Sequence, residues 1–349
     1  RYRYDPDFIV MDPRKLLEIL SDARWHSADS LQAASGLDEQ SLHNWLSRFK
    51  DGGLEVRIGN EGKISLAHPL ILLERKLILQ GLEPAVRESL VHFELPMVVD
   101  STNTRAMEWL RDGNAGRALF LTEQQQSGRG RRGRTWISPM ARNLTMSLVW
   151  PVAGVEQVQQ GFSLVVALSL VESMCSLGLR GNELLRVKWP NDIWLGEAKL
   201  AGILLELQGA PAGPHHVVIG VGINVHLSDQ VLADIDQPAS DLYSQGNQQL
   251  DRNQLVVSIL THLERNLESL RTTGFEAFRR RWHELDIYLN RQVEVVGHGQ
   301  RITGVVRGVS ADGALILETG DGEKVFTGGE IAPTVRSLQM PANSVGQEE

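Results

Sequence analysis

The sequence predicts an α+β protein in three parts: an N-terminal winged helix-turn-helix, a central mixed or antiparallel sheet with helices on one face, and a small C-terminal β-barrel. Three observations predict it. Residues 12–66 carry apolar positions at helical spacing broken by glycine, residues 85–290 alternate strand-like apolar runs with helical stretches, and residues 291–338 hold short alternating runs separated by glycine turns. Residues 67–84 read as a helical linker.

With 349 residues, 42% hydrophobic and 22% charged, the chain has ordinary globular chemistry, which excludes disorder as the default. Its net charge of −8 excludes a surface coated in positive potential, so any nucleic-acid contact must come from a local basic patch. The single cysteine, Cys175, excludes intrachain disulfides and cysteine-based metal clusters; in its apolar helical run it reads as a small core hydrophobe. The longest apolar stretch, Phe162 to Leu179, is interrupted by Ser163, Ser169, Glu172, Ser173 and Ser176, so it reads as a buried helix and no membrane is expected. Arg1 to Val10 lacks an apolar secretory core, Met11 is a candidate start, and the cytoplasm is the simplest address.

In the first part, Leu16, Leu17, Ile19 and Leu20 form one apolar stripe. Ser27 or Asp29 caps a second helix carrying Leu31 and Ala34, Gly36 breaks it, and Leu42, Leu46 and Phe49 line a third. Gly36 falls where a tight turn wants positive φ, and Gly52-Gly53 followed by Glu55 to Ser65 would make a wing. Gln40, Ser41, His43 and Asn44 on the third helix are candidates for base edges, with Arg48, Lys50, Arg57 and Lys63 for phosphates. Asp38 and Glu39 at the start of that helix oppose phosphate, so a domain that only packs on an enzyme or a dimer is the competing reading.

In the central part, strand runs at Leu119 to Glu123, Leu144 to Val149, Arg186 to Trp189, Leu200 to Leu207 and Val217 to Val225 are separated by helices at Ser101 to Arg111 and Gly161 to Leu177. Turns at Gly196-Glu197 and Ala210 to Pro214 suggest antiparallel pairing. The last part offers Val293 to Val296, Ile302 to Val309, Ala314 to Glu318 and Lys324 to Thr327, and Met340 to Glu349 reads as a loose tail.

Gly128-Arg129-Gly130-Arg131-Arg132-Gly133-Arg134 places four arginines and three glycines in seven positions, followed by Thr135-Trp136. The glycines let backbone wrap closely round a ligand, the forked guanidinium groups suit a phosphate or carboxylate, and Trp136 offers a face to a planar ring. Alone, this is equally an RNA-binding or merely solvated basic loop. Farther on, Lys188-Trp189-Pro190-Asn191-Asp192 is followed by Lys199-Leu200-Ala201-Gly202-Ile203-Leu204. A strand-start Lys199 beside Gly202 suits a bound carboxylate, and a proline corner projects Asn191 as a hydrogen-bonder and Asp192 as a carboxylate for Mg²⁺ or a lysine amine. Alone, a Pro-Asn-Asp corner is an ordinary turn.

Together with Asp100-Ser101-Thr102-Asn103, Gln125-Gln126-Ser127, Gly220-Val221-Gly222-Ile223-Asn224-Val225 and Gly328-Gly329-Glu330-Ile331, these motifs resemble the family of bifunctional biotin protein ligases and biotin-operon repressors along nearly the whole chain. The resemblance implies a class II synthetase-like catalytic sheet, an SH3-like C-terminal domain, and an ATP-dependent enzyme that makes biotinyl-5′-AMP with Mg²⁺ and passes biotin to a lysine of the biotin carboxyl carrier protein of acetyl-CoA carboxylase. It implies that Ser101, Thr102, Asn103, Gln125, Gly128, Arg129, Gly130 and Arg131, with Lys199, Gly202 and Gly220, surround biotin. Arg131, Arg134, Trp136, Lys188, Asn191, Asp192, Asn224 and Arg336 would hold the nucleotide, and Lys199, Arg131 and Asp192 would act in catalysis, Asp192 with the metal. It further implies operator DNA as a partner, biotinyl-5′-AMP as corepressor, and a homodimer formed on ligand binding. The arginine segment is expected to order as a lid only over ligand. A lipoate-type ligase, a ligand-binding transcription factor without catalysis, and a ligase whose N-terminal domain does not bind DNA are the alternatives.

Overall fold

The computed structural model describes residues 13–154, 158, 161–209, 215–297 and 300–333. Arg336, Met11, the Ala210 to Pro214 turn and the expected tail lie outside the described residues. Helices α1 (Arg14–Leu20), α2 (Ala28–Ser35) and α3 (Glu39–Asp51) precede the hairpin β1 (Val56–Ile58) and β2 (Ile64–Leu66). Next come α4 (Arg75–Gly81), α5 (Pro84–Ser89), β3 (Leu90–Glu94), β4 (Val98–Val99), α6 (Thr102–Arg111), β5 (Arg117–Thr122), β6 (Gln124–Gln125) and β7 (Asn143–Val152). Helix α7 (Phe162–Ser176) leads to β8 (Leu185–Lys188), β9 (Asp192–Leu195), β10 (Ala198–Gly209) and β11 (His215–Asn224), followed by α8 (Asp229–Ala233), α9 (Arg252–Thr273) and α10 (Glu276–Leu285). Strands β12 (Gln292–Gly297), β13 (Gln300–Val309), β14 (Leu315–Thr319), β15 (Gly322–Phe326) and β16 (Glu330–Pro333) complete the described chain.

Two compact units emerge. The first holds residues up to Pro151 with Leu204–Gln208 and His216–Val257; the second holds Val152–Ile203, Gly209–His215 and the chain from Ser258.

In the first unit, Leu16, Leu17, Leu20, Leu31, Leu42, Leu46 and Phe49 bury one face of each N-terminal helix in a core completed by Met97, Met140 and Ala141. Ser27 caps α2 by accepting from the Ser30 amide, and Gly36 ends it at φ +77°. Asp38, which as a charge opposes DNA, caps α3 by accepting from the Ser41 amide at 2.7 Å, and that bond lowers its carboxyl below the ordinary value. Gln40, His43, Arg48 and Lys50 are exposed on α3. Ser41 and Asn44 are half-buried, Gln40 donates to Asn44 at 3.1 Å, and the Arg48 guanidinium lies 4.9 Å from the Trp45 ring centre.

Strands of the first unit run in the order β3-β5-β7-β11, followed by the C-terminal half of β10. Antiparallel pairing holds for β5 and β7, but β3 lies parallel to β5 and β4 parallel to β6. Of the mixed or antiparallel sheet expected, the mixed form is the one present: α6 serves as the crossover that parallel neighbours require, packing Ala106, Met107 and Leu110 against Ala118 and Phe120. The linker departs from expectation, being helical only in α4 and α5, because Pro69 opposes a helix through residues 67–74.

Side chains take over the hydrogen bonds that a helix would have made there. Arg252 donates to the Ile71 carbonyl at 2.9 Å, Asn253 donates to the Leu72 carbonyl at 2.9 Å, and the Leu73 amide donates to Glu123 at 2.7 Å. Arg252 and Glu123 themselves form an ion pair of 2.6 Å, with side chains 3% and 1% exposed.

In the second unit, the first half of β10 pairs antiparallel with β9, and β9 with β8. Helix α7 is apolar nearly all round and buried, and its Ser169 and Ser173 satisfy their hydroxyls on carbonyls one turn back. Cys175 is exposed, against the expectation of a core residue, because it faces outward on the last turn of α7. Among the described residues, no helix is long and apolar enough to cross a membrane. The expected C-terminal barrel takes the form of a five-stranded antiparallel sheet in the order β15-β14-β13-β12-β16, with a bulge between Val306 and Gly308 supplying curvature. It rests on α10, where His283 accepts from the Val309 amide at 3.0 Å and Arg279 donates to the Val309 carbonyl at 2.9 Å.

Arg252→Ala would leave Glu123 buried without its counter-charge, so chemical denaturation should show a loss of about 3–5 kcal/mol, partly recovered by the apolar pair Arg252→Met with Glu123→Leu. Asp286 tests a second burial: desolvation raises its carboxyl from 3.8 to about 6, against an opposing hydrogen bond from the Tyr288 amide at 3.0 Å. A folded value above the unfolded one means that the contribution is complete below pH ~4 and lost as pH rises through about 6. Asp286→Asn should remove a decline of about 3 kcal/mol between pH 4 and 7, measured by denaturation across that range.

Candidate active site

In the first unit, polar side chains converge at the start of α6. The short parallel pair β4 and β6 brings Gln125 beside Ser101 and Thr102, as the Ser127 amide bonds the Asp100 carbonyl at 2.9 Å. Gln125 Oε1 accepts from the Thr102 amide at 2.8 Å and lies 3.1 Å from its hydroxyl. Ser147 Oγ, wholly buried on β7, lies 2.5 Å from Asn103 Oδ1 and 2.7 Å from Thr102 Oγ1. Asn103 Nδ2 in turn donates to Glu206 at 2.8 Å. Gly220 is the reason that Asn103 fits, since a Cβ there would fall 2.2 Å from its Oδ1.

The arginine segment closes on itself as a small hairpin. Trp136 N bonds the Gly128 carbonyl at 2.8 Å and Gly130 N bonds the Arg134 carbonyl at 2.7 Å, around a turn in which Arg132 takes φ +57°. Two backbone hydrogen bonds hold this turn. Gly128 is buried, and its Cβ would meet the Trp136 carbonyl at 2.4 Å. Arg131 is half-buried, whereas Arg129, Arg132 and Arg134 are exposed. Arg129 forks onto Glu206 at 2.7 and 3.2 Å. Trp136 lies against β11, where a Cβ on Gly222 would fall 2.4 Å from its ring.

In the second unit, β8 ends at Lys188, the Trp189–Pro190 bond is cis, and β9 begins at Asp192. Register sets Asp192 opposite Gly202 and Lys188, and Lys199 opposite Trp194, with a bulge between Lys199 and Ala201. The Lys199 ammonium lies 2.9 Å from Asp192 Oδ1, both side chains 14% exposed. Asn191 Nδ2 donates to the Ile203 carbonyl at 2.8 Å, and the Lys188 ammonium lies 5.0 Å from the Trp194 ring centre. Trp189 is buried and donates to the Gly313 carbonyl at 3.2 Å, which ties this corner to the C-terminal sheet.

Thus Thr102, Asn103, Gln125 and Arg129 share one hydrogen-bonded cluster in the first unit, with Gly220 packed on Asn103, and Lys199 and Asp192 form a pair in the second. Asn224 is buried, accepting from Asn143 at 3.3 Å and donating to the Ser240 carbonyl at 3.1 Å. Ser147 and Glu206 are not singled out by sequence motifs; each is a polar residue inside an apolar strand, which is the signal that would have found them. His226, two residues past the end of β11, is also not singled out. Burial and the neighbouring Arg142 guanidinium push its imidazole down to about 4, while Arg142 lies 2.6 Å from His226 Nδ1.

Residues 95–224 match the Biotin/lipoate A/B protein ligase family and residues 288–332 the Biotin protein ligase C terminal domain. The chain is 34% identical over 320 residues to the bifunctional ligase/repressor BirA of Escherichia coli (strain K12), covering 92% of this chain and 96% of that one. It is 31% identical over 237 residues to the biotin--[acetyl-CoA-carboxylase] ligase of Paracoccus denitrificans, covering 66% of this chain and 96% of that one. Among solved structures, it resembles the biotin protein ligase from Aquifex aeolicus in complex with biotin and ATP, with a TM-score of 0.58 and 26% identity over 70% of this chain and 98% of that one. The chain belongs to the biotin protein ligase family.

Gly220→Ala and Gly222→Ala should each displace the side chain packed on the glycine and weaken ligand binding at least tenfold, as each added methyl meets an atom under 2.5 Å away. Gly320→Ala, which meets nothing within 4 Å, should bind as wild type in the same titration.

Proposed function

We propose that this chain activates biotin with ATP to biotinyl-5′-AMP and transfers biotin to a lysine of the biotin carboxyl carrier protein of acetyl-CoA carboxylase. The observation that carries this reading is the Lys199–Asp192 pair, a largely buried ammonium held on a strand 2.9 Å from a carboxylate. Two anions must meet in the first step, and a fixed ammonium is what their approach lacks.

In that step a biotin carboxylate oxygen attacks the α-phosphorus of ATP and pyrophosphate leaves. Ser101, Thr102, Asn103, Gln125, Gly202, Gly220 and the Gly128 to Arg131 backbone hold biotin, while Lys199 and Arg131 offset the charge on the reacting carboxylate and phosphate. Trp136 and Asn191 hold adenine, with Arg134, Lys188, Asn224 and Arg336 as further nucleotide contacts. In the second step the neutral amine of the carrier lysine attacks the acyl carbon, AMP leaves, and the amine gives up a proton to a carboxylate or to water. No enzyme nucleophile is required.

Among the described residues, no group of three or more His, Cys, Asp or Glu side chains gathers to cage a metal. Asp192 offers a single carboxylate, a donor set that fits Mg²⁺ arriving on the phosphates of ATP. Bound there, the ion would supply further offset of phosphate charge.

A second role is favoured by α3, whose Asp38 is used as its N-cap and which carries Gln40, Ser41, His43, Asn44, Arg48 and Lys50. With the β1–β2 hairpin as wing, this winged helix-turn-helix reads an operator as a homodimer, with biotinyl-5′-AMP as corepressor. The SH3-like C-terminal sheet buttresses Trp189 and the corner that follows it.

Incorporation of labelled biotin into a carrier domain with Mg·ATP should fall about 10²–10³-fold in Lys199→Ala and in Arg131→Ala; wild-type rates in either variant would contradict the assignment. In gel shifts with an upstream biotin-operon fragment, binding should tighten when biotin and ATP are present and weaken steeply with salt. Binding at neither condition would leave a ligase alone.

A further inference from the structure

We propose that Glu206 is a positioning residue for biotin, one carboxylate that fixes both the Asn103 amide in the ring pocket and the arginine hairpin above it through Arg129. This rests on the reading of Thr102, Asn103 and Gln125 as biotin contacts. Glu206 lies on β10, in the run Leu204-Leu205-Glu206-Leu207, and takes 2.8 Å from Asn103 Nδ2 on one side and 2.7 and 3.2 Å from the Arg129 fork on the other.

The first consequence is orientational. A carboxylate only accepts, so Asn103 must present its NH₂ to Glu206 and its carbonyl oxygen to Ser147. Ser147 has one hydroxyl proton, which the Asn103 oxygen claims, so the 2.7 Å contact with Thr102 requires the Thr102 hydroxyl to donate to Ser147. Gln125 Oε1 remains served by the Thr102 amide at 2.8 Å. The Thr102 oxygen is thereby left with a lone pair for a ligand, and a cyclic urea presents N–H donors. Glu206 thus sets the hydrogen-bond polarity of the pocket from two residues away.

The second consequence is mechanical. Arg129 follows Gly128, the buried glycine at the hairpin's root, so the bidentate pair pins the root to the same carboxylate that orients Asn103. The pair is partly exposed, with side chains 43% and 26% accessible, which limits its worth. What it adds is registry between hairpin and pocket floor.

The test uses the full chain. Biotin affinity is measured by calorimetry without ATP, and KM for biotin, KM for ATP and kcat with Mg·ATP, for wild type, Glu206→Gln, Arg129→Met and the double variant. Losing a charge-assisted bond should weaken biotin binding about tenfold in Glu206→Gln. KM for biotin should rise in parallel, while kcat and KM for ATP change less than threefold. The double variant should be no weaker than the worse single variant, since both act through one link. Unchanged biotin affinity in Glu206→Gln, multiplying losses in the double variant, or a fall in kcat equal to the rise in KM would each overturn the proposal. Should Glu206→Gln fail to fold, Arg129→Met alone must reproduce the KM effect, and wild-type affinity in it would overturn the proposal equally. Absence of biotin binding by wild type would instead overturn the functional reading on which it rests.

Discussion

The buried pair of Arg252 and Glu123 is the constraint on which the first unit depends. Two charges out of water must be fully satisfied, and they are satisfied by the parts of the chain that the site needs held together. Glu123 directly precedes β6 and its Gln125, and its second oxygen takes the Leu73 amide of the segment arriving from the N-terminal helices. Arg252 reaches the Ile71 carbonyl and the Asn143 carbonyl at the start of β7. The Glu123 carbonyl takes the Ala141 amide, where the chain returns from the arginine hairpin, and the next residue back, Met140, bonds the Gly52 carbonyl beyond α3. One ion pair therefore joins the helical N-terminal segment, the pocket strand and the root of the hairpin.

Around that anchor, close approaches do the positioning. Gly220 and Gly222 alternate on β11, pointing to one face of the strand, and each leaves the space of a missing side chain for a residue from elsewhere: Asn103 at one, Trp136 at the other. In the second unit the comparable work falls to strand register, which sets Asp192 opposite Gly202 and within reach of Lys199. The C-terminal sheet holds the Trp189 indole. Charge in this protein is local: a net charge of −8 coexists with a seven-residue segment bearing four arginines.

Much of this is legible in the sequence because it is local. The spacing of Leu42, Leu46 and Phe49, the glycine after α2, the glycine turns of the last segment and the density of arginine beside glycine are all properties of neighbouring residues. Pairings across long separations are not. Asn103 and Glu206 are 103 residues apart, Ser147 and Asn103 are 44 apart, and no periodicity connects them. The same limit explains the linker, whose backbone groups are satisfied by side chains 181 residues away, and the parallel pairing of β3 with β5, which depends on where α6 packs. Asp38 shows a third kind of miss: its charge is visible in the sequence, whereas its use as a cap depends on where the helix starts.

The proposed first step joins a carboxylate to a nucleotide before any acceptor is present. The direct measurement is incubation of the full chain with biotin, Mg²⁺ and α-labelled ATP, without carrier, followed by separation of bound nucleotide. About one equivalent of biotinyl-5′-AMP per chain should form with matching pyrophosphate release, and be discharged when a carrier domain is added. Pyrophosphate release independent of biotin, or no acyl nucleotide at any biotin concentration, would contradict the proposed step.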